Sequence, residues 1–170
     1  MDEAGTRLET LYRELGPDLL SYLRRRLTDR HAAEDLLQET FLQAARRLER
    51  VSQAVSPRAW LYGIARNVAV TALRRRRRVE PLPGEVAAEM PADDQRLAEV
   101  RAAIADLPDT LRETLELRLR CDLSYEEIAA VLGIPVGTVR SRLHLALQRL
   151  RAATQEADEP QRHKDAESGK

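Results

Sequence analysis

The chain has 170 residues, and its 28 Lys and Arg balance 28 Asp and Glu, so the formal net charge is zero. That length holds one ordinary domain or two small ones, and the single cysteine, Cys121, excludes an internal disulfide and a cysteine-rich zinc site. No apolar run is long enough to cross a bilayer and the acidic N-terminus is unlike a signal peptide, which predicts a cytoplasmic protein without membrane contact.

Leu, Ala, Arg and Glu dominate, so the chain reads as all helix. A first helical segment covers 6–27, with Pro17 as a break or a second start. A second helix covers 32–48. On it Leu37, Phe41, Ala44, Ala45 and Leu48 form the inward face, and Asp35, Gln38, Glu39, Leu42 and Arg46 gather opposite. A polar face is ordinary on a surface helix, but Leu42 within it leans toward a protein partner. Residues 49–56 read as a loop.

Pro57 opens a third helix that runs to about 78. Trp60, Leu61, Ile64 and Val68 cluster inward, while Arg58, Tyr62 and Arg66 stack at i, i+4 and i+8 on the outer side. Aromatic residues among arginines suit single-stranded nucleic acid, whose bases stack and whose phosphates need neutralising. Trp60 belongs to the core sooner than to a base platform. The run Arg74 to Arg78 reads either as a solvated helix end or as a phosphate clamp.

Residues 79–95 hold three Pro, one Gly and five acids, the composition of a flexible acidic linker. Helices follow at about 96–106, 109–120, 124–132 and 135–152, and the polar tail 153–170 reads as disordered. Charge follows this division. Residues 51–78 carry seven Arg and no acid, residues 79–110 carry eight acids against two Arg, and residues 130–152 carry four Arg and no acid. Two basic blocks flanking an acidic stretch suggest two contacts with a polyanion.

The second basic block has the form of a helix-turn-helix. Ser124 and Glu127 make an S-x-x-E capping box, and Ile128, Ala129 and Leu132 give the short helix an apolar face. Gly133 is a natural stop, and Pro135 suits the next first turn. At about 100° per residue, Val139, Leu143, Ala146, Leu147 and Leu150 of the following helix point inward. Thr138, Ser141, His144, Leu145 and Gln148 point outward, with Arg140 and Arg142 on the flanks. An outward Ser beside Arg can meet base edges and phosphates. Leu145 is either an incidental surface residue or a contact for a thymine methyl. The fold class is therefore all-α: two small helical domains, 1–78 and 96–152, joined by the linker, the second containing the helix-turn-helix.

D-L-L-Q-E-T-F at 35–41, W-L-Y-G-I-A-R-N at 60–67, L-P-D-T-L-R-E at 107–113 and S-Y-E-E-I-A-A-V-L-G-I-P-V-G-T-V-R-S-R-L at 124–143 resemble the extracytoplasmic-function (ECF) sigma factors of bacterial RNA polymerase. The resemblance covers about residues 6–152. It implies that 1–78 is sigma region 2 and 96–152 is region 4. By similarity, Asp35, Gln38 and Glu39, with Leu42, meet the clamp helices of the polymerase β′ subunit, and region 4 meets the β flap. Loop 49–56 holds a flipped base of the −10 element. Arg58, Tyr62, Arg66, Asn67, Arg74 and Arg75 contact the −10 DNA as a single strand. Asn67 falls near the inner edge by angle, which leaves a structural role open. Thr138, Arg140, Ser141, Arg142, His144 and Leu145 face duplex −35 DNA. Leu145 stands where family members commonly carry Arg, so the −35 sequence does not transfer from the family.

An anti-sigma factor is the implied regulatory partner. The residues suggest binding and no enzyme: there is no catalytic constellation, no cofactor motif, and His31, His144 and His163 lack metal-ligand spacing. A stand-alone helix-turn-helix regulator is the alternative, but it leaves 32–78 unexplained. Cys121 reads as a buried structural thiol sooner than a redox-sensitive one.

Overall fold

The computed structural model describes residues 3–27, 29–79 and 95–158. They form α1 (Glu3–Arg26), α2 (Arg30–Ala45), a 3-10 turn (Leu48–Gln53), α3 (Pro57–Val79), α4 (Gln95–Ala105), α5 (Asp109–Leu119), α6 (Tyr125–Leu132) and α7 (Val136–Asp158). No strand occurs among the described residues.

Pro17 does not break α1, which is continuous from Glu3 to Arg26. The ring is exposed, so the carbonyl deprived of its N–H partner can turn to water rather than stay unsatisfied in the core. Asp29 caps α2 by accepting from the His31 N–H at 2.9 Å. Residues 49–56, read as a loop, include most of the 3-10 turn. Ser56 then caps α3, its Oγ accepting from the Ala59 N–H at 3.0 Å, and Pro57 takes the first turn, where no N–H partner is needed.

The first three helices pack around Leu19, Tyr22, Leu23, Leu37, Phe41, Leu61, Ile64 and Val68, all buried. Full burial of each large aliphatic side chain is worth about 1.5–3 kcal/mol. Thr40 is buried among them because its hydroxyl donates to the Leu36 carbonyl at 2.6 Å. Ala45, assigned inward by angle, is exposed, because α2 ends there and the chain departs into the 3-10 turn.

The last four helices enclose Leu111, Leu115, Leu117, Leu123, Ile128, Val139, Leu143 and Ala146. The turn between α5 and α6 places Asp122 at φ 49, a left-handed conformation that Asp tolerates better than most side chains. Helix α7 continues through the stretch read as the start of a disordered tail and ends at Asp158. Most of the acidic linker (80–94) and the remainder of that tail (159–170) lie outside the described residues.

The two halves are not separate in this state. α3 packs on α6, and the buried apolar residues of both halves form one continuous cluster. No helix of the described residues is long and apolar enough to cross a membrane.

Candidate nucleic-acid interface

The helix-turn-helix forms as its sequence dictates. The Ser124 side chain accepts from the Glu127 N–H at 3.1 Å, and the Glu127 carboxylate accepts from the Ser124 N–H at 2.9 Å. Two of the donors that α6 would leave unpaired are thus satisfied reciprocally. Gly133 ends α6 at φ 66, in the left-handed region where a side chain is strained, and its N–H bonds the Ala129 carbonyl. Pro135 then precedes α7, and its carbonyl accepts from the Thr138 and Val139 N–H groups. The turn therefore fixes the angle at which α7 leaves α6.

Val139, Leu143 and Ala146 of α7 are buried and Leu150 is half-buried. Leu147, assigned inward, is instead 43% exposed: the neighbouring helices cover a narrower stripe than the apolar residues span. On the open face Arg140, Ser141, His144 and Leu145 are exposed, and Thr138 and Arg142 are half-buried at its edges. The Ser141 hydroxyl donates to the Gly137 carbonyl at 3.0 Å and keeps its lone pairs free. Leu145, 41% exposed, shares this face. The six residues singled out on this helix therefore lie on one accessible surface.

On α2, Asp35, Gln38 and Leu42 are exposed and Glu39 is half-buried, accepting from Gln43 at 2.9 Å. Leu42 is 54% exposed beside these polar groups. The face read from the sequence is present and solvent-accessible.

Helix α3 departs from its sequence reading. Tyr62, assigned to the outer side, is wholly buried. Its ring meets that of Tyr22 edge-on at 5.4 Å between centroids. Arg58 and Arg66 lie along the same side, and both are engaged by the second half of the chain. Arg58 Nη2 donates to the Cys121 carbonyl at 2.5 Å. Arg66 donates to Glu113 through Nε at 2.9 Å and through Nη2 at 3.1 Å. The outer side of α3 is outer only for the first half alone, since α5, α6 and the turn between them cover it. Asn67, placed near the inner edge by angle, is exposed, and so are Arg74 and Arg75.

Sequence reasoning did not single out the rest of this inter-half contact. Arg26 Nη2 donates to Glu113 Oε1 at 2.9 Å and Arg25 Nε to Glu116 Oε1 at 2.7 Å. The Ser56 hydroxyl donates to Glu127 Oε1 at 2.5 Å, linking the cap of α3 to that of α6. A signal was available in the triplet Arg24–Arg26 ending α1 and in the acids Glu113 and Glu116 on α5. Burial works to raise the Glu113 carboxyl, but the hydrogen bond from Arg66 and the charge of Arg26 hold it below its ordinary value. Cys121 is buried at the same seam, and desolvation pushes its thiol up, which suits an inert structural thiol.

A helix-turn-helix with an open second helix, packed on a helical module with basic and acidic faces, is the architecture of a DNA-binding class of protein. Comparison makes the class specific. Residues 11–79 match the family model for Sigma-70 region 2, and residues 97–150 match that for Sigma-70, region 4. The chain is 42% identical over 137 residues to the ECF RNA polymerase sigma factor SigE of Mycolicibacterium smegmatis, covering 72% of this chain and 52% of that relative. It is 40% identical over 139 residues to the ECF RNA polymerase sigma factor SigC of Mycobacterium tuberculosis, covering 78% of this chain and 75% of SigC. Among solved structures it resembles the sigma factor RpoE in complex with the anti-sigma factor NepR from Bartonella quintana. There the TM-score is 0.68 and the identity 28%, over 86% of this chain and 98% of that one. The chain belongs to the ECF sigma factor family of RNA polymerase. The region 2 match accounts for the segment that a stand-alone helix-turn-helix regulator would leave unexplained.

Proposed function

We propose that this chain joins core RNA polymerase, directs it to a set of promoters and captures the −10 element as it opens. The observation that carries the reading is the pairing, in order along one chain, of a region 2 module with a region 4 module whose reading helix is open to solvent.

In this reading the work divides by face. Asp35, Gln38, Glu39 and Leu42 on α2 meet the β′ clamp helices, with Leu42 as the apolar anchor of a polar patch. Region 4 meets the β flap. Thr138, Arg140, Ser141, Arg142, His144 and Leu145 on α7 enter the major groove at −35, the arginines gripping phosphate and the shorter side chains reaching base edges. Asn67, Arg74 and Arg75, joined by Arg58, Tyr62 and Arg66 once the second half moves off α3, hold the −10 strand, where ring stacking and phosphate contacts offset the cost of unstacking bases. The segments 1–78 and 96–152 act as the two modules and 79–95 as the tether between them. The polymerase makes the bonds; this chain binds and positions. Such work belongs in the bacterial cytoplasm, and an anti-sigma factor is the fitting regulatory partner.

Gel filtration with purified core polymerase, followed by gel-shift on promoter fragments, tests the proposal. A stable complex that binds selected fragments better than core enzyme alone is the expected result. A chain that elutes apart from core polymerase would overturn it.

A further inference from the structure

The residues assigned to −10 DNA and the residues that hold the two halves together are partly the same. Arg66 offers a carboxylate two parallel N–H donors, and Glu113 takes both. That fork fits a phosphodiester equally well, since both anions present two oxygens to one guanidinium. Arg26 reaches the same Glu113 oxygen from the end of α1, with its guanidinium carbon 4.6 Å from the centroid of the Tyr22 ring. Arg25 lies beside it, paired with Glu116. Three arginines of the first half thus face two carboxylates of the second, and one positive charge is left over.

The packed state also leaves donors unspent. Arg26 Nε, Arg58 Nε and the Tyr22 hydroxyl are buried without a hydrogen-bond partner. All three lie on the face of the first half that the second half covers, where buried polar groups are ordinarily satisfied. The carboxylates therefore occupy this basic surface without saturating it.

We propose that Arg26 and Arg66 form one anion site on the first half, filled by the Glu113 carboxylate when the halves are packed and by a DNA backbone phosphate once they part. The inference rests on the reading of Arg66 as a contact for single-stranded promoter DNA, and it adds Arg26 to that surface. Glu113 is then an internal competitor for DNA. The free chain keeps its single-strand site closed, and any partner that draws α5 away from α1 and α3 exposes it. Because one guanidinium fork holds one anion at a time, DNA binding at Arg66 and packing of the halves exclude each other.

The test uses the full chain and a short, fluorescein-labelled, random-sequence single-stranded DNA, read by anisotropy at low salt. Glu113→Gln, which keeps the shape and removes the charge, is expected to bind about tenfold tighter than the wild type, as the competent fraction rises. Adding Arg26→Gln to it should abolish the gain. Small-angle scattering of the wild type should show the radius of gyration rising as DNA is added, a readout that needs no variant. If Arg66→Gln weakens binding but Glu113→Gln changes nothing, the competition is overturned while Arg66 remains a DNA contact. If neither Arg66→Gln nor Arg26→Gln alters binding, the DNA reading of this face fails with it. If wild-type binding depends on Arg66 and yet brings no expansion, the exclusion is overturned directly.

Discussion

Glu113 and Arg66 meet as a fork, Oε1 at 2.9 Å from Nε and Oε2 at 3.1 Å from Nη2, across the seam between the first and second halves of the chain. The pair joins a residue of the region 2 match to one of the region 4 match. Its protonation state therefore bears on whether the halves stay together.

The Glu113 carboxyl titrates below its ordinary value of 4.5 in the packed state. A lowered pKa means that packing is favoured in full above that value and weakens as pH falls through the lower one. Glu116, paired with Arg25, and Glu127, which accepts from the Ser56 hydroxyl, are the other carboxylates at the seam. Small-angle scattering from neutral pH downward should give a constant radius of gyration to about pH 4.5 and an expansion below it. In Glu113→Gln that part of the expansion should be absent.

Tyr62 is buried, and the only partner near its hydroxyl among the described residues is the weakly bonding Cys121 thiol. A thiol is a weak partner for a buried hydroxyl, so losing it costs little, and Tyr62→Phe should melt close to the wild type. Tyr62→Ala removes the ring as well and should lose about 3–5 kcal/mol by denaturant titration.

The capping box of α6 sets the geometry of the reading helix. Ser124→Ala deletes the acceptor for the Glu127 N–H and should cost about 1 kcal/mol. Gly133→Ala meets no atom within 4 Å, but its φ of 66 strains any side chain, at about 1 kcal/mol. Denaturant titration of each variant reads these losses.

Leu145 shares its exposed face with Ser141 and His144. If its partner is a thymine methyl, Leu145→Ala flattens the preference at one base of the −35 element, and uracil in place of that thymine gives the same loss to the wild type. Binding titrations on a base-substituted promoter set distinguish this from an incidental surface leucine, for which no position changes.

Leu42 is 54% exposed among polar residues of α2. Leu42→Asp should leave stability within about 0.5 kcal/mol and weaken the complex with core polymerase. Melting curves and a core-binding titration check the two halves of that statement.

What the sequence made legible is what depends on neighbours along the chain. The Ser124–Glu127 box, the Gly133 stop and the inward faces of α2, α3 and α7 are local patterns, and they appear largely where the residues predict. The errors fall where a distant element decides. Tyr62 lies on the polar side of α3 by angle, yet it is buried because α5, α6 and the turn between them cover that side. Leu147 and Ala45 lie inward by angle, yet both are exposed, because the neighbouring helices do not cover them fully. Asn67 is exposed for the same reason. Helical angle assigns a residue to a side, whereas the packing partner decides whether that side is inside. The continuity of α1 through Pro17 was equally hidden, because it depends on the exposure of one ring.

Run-off transcription with purified core polymerase and genomic promoter fragments decides whether this chain confers promoter selectivity. Discrete transcripts should arise from a subset of fragments, present only when this chain is added and lost when Arg66 and Asn67 are both replaced by Ala. Core enzyme that starts no more selectively with the chain than without it would show that the chain does not direct initiation.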